Sequence, residues 1–258
     1  MNGSIIDVQV NLSRWPTRRL RDDDTKQLLE RLLRFQVVEA WAGSYDGLLH
    51  RDIRGVNERL AADCSRFASL RLRPFGTVNP KSPDWEEDLR RCAEDLKMPG
   101  LRLFPNYHGY KLDDSDFHRL LRRAADLKMI VSIPVQMEDE RMMHPLLQVK
   151  PVDITPLAKI IPTISELKMV LHNTNRNMRA LCIPLLQTGR VWMDIAMLDG
   201  LDVISEWLEN APLDGIVFGS HAPFHYWEAS LLKLHEAQLE NFRHRAICFG
   251  NARRLLAE

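Results

Sequence analysis

Charge of one sign, paired cysteines and long apolar runs are all missing from this chain. Lys+Arg and Asp+Glu both number 35, so no global field recruits nucleic acid or a membrane surface. Local basic pairs such as Arg122-Arg123 and Arg253-Arg254 read as solvated helix faces. The four cysteines, Cys64, Cys92, Cys182 and Cys248, have no metal or redox spacing. Each is expected as a free thiol packed like a small core residue, in a reducing compartment. No stretch is long enough to span a bilayer, and Asp7 and Arg14 interrupt any apolar run at the start. Neither a membrane span nor a signal peptide is therefore expected, and the expected location is the cytoplasm. No glycine-rich phosphate fingerprint follows the first strand-like run, which counts against a dinucleotide-binding sheet. No linker or low-complexity tract divides the chain, so one domain over residues 1–258 is expected.

What is present is an alternation of strand-like and helix-like segments from end to end. Ile5 to Leu12 opens it as a strand. Thr25 starts a helix with Leu28, Leu29, Leu32 and Leu33 as its apolar stripe. Val37 to Gly43 and Leu72 to Val78 are strands, followed by helices over Ile53 to Phe67 and Asp84 to Leu96. Gly100 to Phe104 and Met129 to Gln136 are the fourth and fifth strands, with a helix from Asp113 to Leu127 between them. Lys168 to His172, Arg190 to Ala196 and Gly215 to Gly219 complete the set, and Asn251 to Leu256 adds a last helix. Eight alternations predict a (β/α)8 TIM barrel with an extra C-terminal helix. In such barrels the site lies at the C-terminal ends of the strands.

The first strand carries polar residues at every second place, Asp7, Gln9 and Asn11, which predicts one polar face. On the fourth strand Arg102 shares a face with Phe104 and Asn106. If that face looks inward, Arg102 either clamps a substrate carboxylate or pairs with a buried Asp7 or Asp194. Tyr107 and His108 follow and are expected in a pocket wall, with Trp41 and Trp15 as further candidates. The long connection from Met137 to Pro145 has the mixed charge of a lid, a subunit contact or a solvated loop.

Five fragments in order resemble the amidohydrolase superfamily, in the branch of small decarboxylases, lactonases and carboxylic-ester or amide hydrolases. They are Ile5-Ile6-Asp7-Val8-Gln9-Val10-Asn11, Gly100-Leu101-Arg102-Leu103-Phe104-Pro105-Asn106, Met169-Val170-Leu171-His172, Phe218-Gly219-Ser220-His221-Ala222-Pro223-Phe224 and Gly250-Asn251-Ala252-Arg253-Arg254-Leu255-Leu256. The resemblance implies a divalent-metal site, but this chain departs from its motif. Gln9 and Asn11 stand where the family's first strand carries two histidines, and His221 stands where it carries a water-activating aspartate. His172 matches the sixth-strand histidine, while Pro134, Val135 and Gln136 leave the fifth-strand histidine unmatched. Neutral amides are poor zinc ligands, so no metal is expected through the family's own set.

The resemblance then implies hydrolysis of a small lactone, ester or amide of a carboxylic acid without metal. His221 is the first candidate for the base that deprotonates water, and His172 the second. Gln9, Asn11, Arg102 and Asn106 are expected to bind or orient substrate. Two alternatives stay open. One is a non-catalytic ligand-binding barrel. The other is a hydrolase or decarboxylase using zinc or manganese through a rebuilt set such as His172, His221 and Asp194, with His144 and His225 as extra donors. A small-molecule substrate is the expected partner, and a homo-oligomer is compatible with such a barrel.

Overall fold

The computed structural model describes residues 4–256. Eight parallel strands run in sequence order around a nearly closed barrel. They are β1 (Ile5–Leu12), β2 (Val37–Ser44), β3 (Arg71–Gly76), β4 (Gly100–Arg102), β5 (Ile130–Pro134), β6 (Lys168–His172), β7 (Val191–Asp194) and β8 (Ile216–Val217). Main-chain bonds from Val8 N to Phe218 O, 3.0 Å, and from Asn11 N to Ala222 O, 2.8 Å, bring the last strand back against the first.

The helices outside are amphipathic for legible reasons. Asp24 caps α1 (Thr25–Arg34) by accepting from Gln27 N, and Leu28, Leu29 and Leu32 face the sheet. After α2 (Ile53–Arg66), α3 (Trp85–Arg90) and a single turn, α4 (Pro105–His108), comes α5 (Ser115–Asp126). It buries Phe117, Leu120, Leu121, Ala124 and Ala125, the spacing of one helix face. Then follow α6 (Leu157–Ile160), α7 (Arg179–Gln187), α8 (Val203–Leu208), α9 (Trp227–Glu236), α10 (Asn241–Arg245) and α11 (Asn251–Leu256). All four cysteines are buried free thiols. No helix among the described residues is long and apolar enough to cross a membrane.

Inside the barrel the residues form three layers. The floor is apolar, made by Ile6, Val8, Trp41, Phe75, Ile130, Val170 and Val217, with Ala252 and Leu255 of α11 beneath. Above it lies a polar layer at the strand ends. A second apolar cluster, Trp15, Tyr45, Leu48, Phe104 and Met137, covers that layer.

Two expectations are corrected here. Asp7 does not share a face with Gln9 and Asn11. The pairing of β1 with β2 slips between Asp7 and Val10, a bulge that puts Val8 into the floor and Gln9 into the polar layer. Asp7 turns to the helix side, where it accepts from Trp227 Nε1 at 3.0 Å and Ser220 N at 3.1 Å. Burial raises its carboxyl to about 6. Trp41, expected in a pocket wall, belongs to the floor, where it stacks on Phe75 with ring centroids 5.0 Å apart.

Packing at the boundary between floor and polar layer is tight. A methyl on Gly43 would lie 2.6 Å from Arg102 Nη1 and 2.8 Å from Arg102 Cδ. The arginine cannot yield without breaking its own hydrogen bonds. Gly43→Ala is therefore expected to destabilise the fold by about 1–3 kcal/mol, the usual cost of overpacking. A urea unfolding midpoint equal to that of the unaltered chain would show instead that Arg102 has room to move.

Candidate active site at the barrel mouth

The polar layer holds Gln9, Asn11, Arg102, His172, Asn173, Asp194 and His221, none more than 1% exposed. Burial at this depth requires hydrogen-bond partners, and following them outward from the main chain fixes every orientation. His221 Nε2 lies 2.9 Å from the Met137 carbonyl, which only accepts. Nε2 therefore carries the proton and Nδ1 is an acceptor. The amides of Gln9, at 3.2 Å, and Asn11, at 3.4 Å, point their N–H groups at that acceptor. Gln9 Nε2 also donates to Asn173 Oδ1 at 2.9 Å, and Asn173 Nδ2 is anchored on the Gln136 carbonyl at 2.7 Å. Asn11 Oδ1 accepts from Arg102 Nη1 at 2.9 Å.

Arg102 has none of the carboxylate partners expected for it. Its four terminal N–H groups go to Asn11 Oδ1 and to the main-chain carbonyls of Val10 (2.8 Å), Val8 (3.0 Å) and Trp41 (3.2 Å). Burial lowers its pKa to about 10, against the attraction of Asp194, Tyr45 and Asp7. It stays charged at neutral pH. The layer thus contains a cation without an ion pair among the described residues.

His172 is held differently. Its Nδ1 lies 2.7 Å from Asp194 Oδ2 on the neighbouring strand β7. The other carboxylate oxygen of Asp194 accepts from the backbone of Asn173, at 3.2 Å, and Ala196, at 3.1 Å. The carboxylate fixes the tautomer with the proton on Nδ1, leaving the Nε2 lone pair free. Among the described residues Nε2 has no hydrogen-bond partner. Burial pushes the His172 pKa down, while Asp194 works against it. His221 is driven well below the ordinary histidine range, first by burial and then by nearby His225. Both imidazoles are neutral at pH 7.

Loops close over this layer. Met137 follows β5 and covers the mouth through its bond from His221. The next residue, Glu138, is buried and paired with Arg18 of the β1 loop at 2.8 Å. Phe224 stacks on the His221 ring with centroids 5.0 Å apart and meets Trp15 edge-on at 4.9 Å. The long β5 connection is therefore a cover for the site at Met137–Glu138, although Met142 and Leu146 farther along it are exposed.

The remaining predicted residues lie apart from the network. Asn106 donates to the Lys150 carbonyl of the β5 loop. Tyr107 packs edge-on against Phe104 with centroids 6.5 Å apart. His108 Nε2 bonds the Gly47 carbonyl at 2.8 Å. Asn173 and Glu138 were missed, since a single asparagine after a strand and a glutamate in an acidic loop carry no periodic signal.

A divalent ion of the superfamily's kind does not fit this arrangement. Among the described residues no three His, Cys, Asp or Glu side chains could hold one together. At the two positions where histidines are expected, amide N–H groups face inward, offering hydrogens rather than lone pairs. The rebuilt set does not assemble either, because Asp194 is spent on His172 and the backbone while both His221 nitrogens are bonded.

A buried polar layer at the C-terminal ends of the strands stands where (β/α)8 barrels carry their sites. The chain belongs to the amidohydrolase family, whose model matches residues 6–257. No curated protein matches it. Among solved structures it is similar to 2,6-dihydroxybenzoate decarboxylase from Rhizobium, at 13% identity and TM-score 0.76, covering 99% of both chains. It is likewise similar to 5-carboxyvanillate decarboxylase from Sphingomonas paucimobilis, at 13% identity, TM-score 0.76 and 99% of both chains. A dihydroxybenzoic acid decarboxylase from Polaromonas, solved with manganese and 2-nitroresorcinol, matches at 12% identity and TM-score 0.76 over 99% of this chain and 97% of that one. At these identities the likeness shows the shared fold.

The neutral, buried histidines make stability depend on pH. Below about pH 6.5 the unfolded chain binds protons that folded His172 and His221 refuse, so their contribution is present above that pH and lost as pH falls. Asp7 opposes this, because its folded carboxyl keeps a proton below about 6 that the unfolded chain releases. Two fully buried histidines outweigh one carboxyl. The melting temperature is expected to fall between pH 7 and pH 5, with each histidine costing up to about 1.4 kcal/mol per pH unit. A melting temperature that is flat or rising over this range would contradict the neutral, locked imidazoles.

Proposed function

We propose that this chain is a metal-independent hydrolase of a small carboxylic-acid derivative, a lactone, ester or amide, with His172 as general base. The observation that supports it is the His172–Asp194 pair, 2.7 Å apart, with an unspent Nε2 at the barrel mouth. A carboxylate that orients a neutral imidazole is the arrangement that general-base catalysis needs. The base role passes from His221 to His172 because both nitrogens of His221 are committed. His221 instead positions the layer, holding Gln9 and Asn11 on one side and the covering loop on the other.

In this reading His172 Nε2 takes a proton as water oxygen bonds to the acyl carbon. The tetrahedral intermediate then breaks its carbon–oxygen or carbon–nitrogen bond, and the leaving group receives that proton from His172. Asp194 stabilises the imidazolium between the two steps. The buried charge of Arg102 favours an anionic substrate and developing oxyanion, acting through space since its terminal N–H groups are spent. Entry requires the Trp15, Phe224 and Met137 cover to move.

A second reading, decarboxylation of a hydroxy-aromatic acid, is favoured by the named activities of the similar structures. It demands a proton delivered to carbon, for which a neutral histidine must first be charged. A panel of lactones, esters, amides and hydroxybenzoates, with and without chelator, separates the readings. Hydrolysis is expected to persist in chelator and to drop by about 100-fold or more in His172→Asn. Asp194→Asn is expected to lower kcat by a similar order with little change in KM. Turnover abolished by chelator, or carbon dioxide release from the hydroxybenzoates alone, would overturn the proposal.

A further inference from the structure

Outside the cover, a cleft of about 210 Å³ opens between the β1 loop and the β8 loop. Arg18, Arg19, Arg21 and Arg31 line it, and Asp22 is the one carboxylate of its lining among the described residues. The cleft lies one ring away from the polar layer, since Phe224 lines it and stacks on His221.

The four arginines are not equivalent. Arg19 is committed to Asp23, which accepts from its Nε at 2.6 Å and its Nη2 at 2.7 Å. Arg31 is committed between Asp22, at 3.1 Å, and Glu228, so the charge of Asp22 is compensated. Arg18 makes a single hydrogen bond among the described residues, from Nη1 to Glu138. Arg21 makes none among them, and its Nε stands 3.8 Å from Asp22 Oδ2, beyond hydrogen-bond length. Both are nevertheless held in place. The Arg18 guanidinium lies 5.1 Å from the Phe224 ring centroid, and that of Arg21 lies 5.5 Å from the Tyr226 centroid.

Stacking of this kind fixes a guanidinium and leaves its edge N–H groups for an acceptor, and that edge matches a carboxylate. Leu20, Leu28 and Pro223 add an apolar part to the lining, which suits a carbon skeleton rather than an inorganic anion. The volume is below the roughly 300 Å³ of the smallest drug-sized pockets, so the ligand is small.

We infer that this cleft binds the carboxylate of a small organic acid, with Arg18 and Arg21 as its ligands. The binding itself stands apart from the proposed hydrolysis. Its use, as the port where an acidic substrate waits to pass Phe224, rests on that reading.

The test is a titration of the whole chain with benzoate at pH 7 and low salt, followed by calorimetry and by the arginine Nε–H resonances. Saturable binding of benzoate but not of the neutral benzamide is expected, with the Arg18 and Arg21 resonances shifting. Arg18→Gln and Arg21→Gln are each expected to weaken it by about 3- to 5-fold, the worth of a partly exposed ion pair. Arg18 also pairs with the buried Glu138, so if Arg18→Gln fails to fold, Arg21→Gln carries the test. Binding unchanged in Arg21→Gln, or benzamide bound as well as benzoate, would overturn the inference. So would binding that is lost in His172→Asn and kept in Arg21→Gln, which puts the acid in the polar layer. Failures stay separable. Arginine-dependent binding together with full turnover in His172→Asn removes the base and leaves the cleft. Turnover that depends on His172, with no benzoate bound, removes only this inference.

Discussion

A single hydrogen bond sets the chemistry of the barrel mouth: the one from His221 Nε2 to the Met137 carbonyl. A carbonyl has no proton to give, so the imidazole must keep its own on that side. The opposite nitrogen then becomes an acceptor, and two amides orient their N–H groups toward it. From there the order passes to Asn173 and Arg102. The same bond seats the β5 loop over the site, so the cover and the proton arrangement beneath it are one structure. His221 and Asn173 both hold left-handed backbone angles, φ 57° and 58°, that residues other than glycine seldom adopt. Such conformations persist where surrounding contacts over-determine them, as this network does.

The fold was legible because it is written in periodicity. Alternating strands and one-faced helices reproduce themselves eight times, and α11 spans the segment read from the sequence. Strand ends were less legible. Helix-facing and barrel-facing residues are both buried, so apolar runs such as Arg190 to Ala196 continue past the last ladder bond at Asp194. The face of Asp7 was misread for a related reason. A bulge inserts one residue without changing composition, and a strict period of two cannot register it.

The candidate site was legible in position but not in roles. Gln9, Asn11, Arg102, His172 and His221 do meet in one network, as their strand-end places suggested. Which of two histidines has a free nitrogen depends on contacts with Asp194 and Met137, which lie 22 and 84 residues away in the chain. Arg102 looked like a carboxylate partner because a buried guanidinium ordinarily needs one. Three carbonyls at the slipped edge of β1 and β2 serve instead, an arrangement that side-chain types do not reveal.

The departures from the superfamily's metal motif share one direction. A metal site turns imidazole lone pairs and carboxylate oxygens toward a common centre. With no cation between them, such acceptors repel one another and remain unsatisfied. Replacing two imidazoles by Gln9 and Asn11 turns N–H groups inward, and each amide keeps an oxygen for a second donor. Placing His221 where an aspartate is expected adds a donor that can bond the Met137 carbonyl, which a carboxylate cannot do. Each change converts a lone pair aimed at a metal into a hydrogen aimed at a protein acceptor. His172 is the exception, since Asp194 takes its proton-bearing side and leaves the lone pair exposed to the interior of the layer. That exception concentrates the site's unsatisfied basicity on one atom, beside a buried cation that favours negative charge. The uncommitted lone pair of His172 is thus the feature of the layer on which the proposed base role rests.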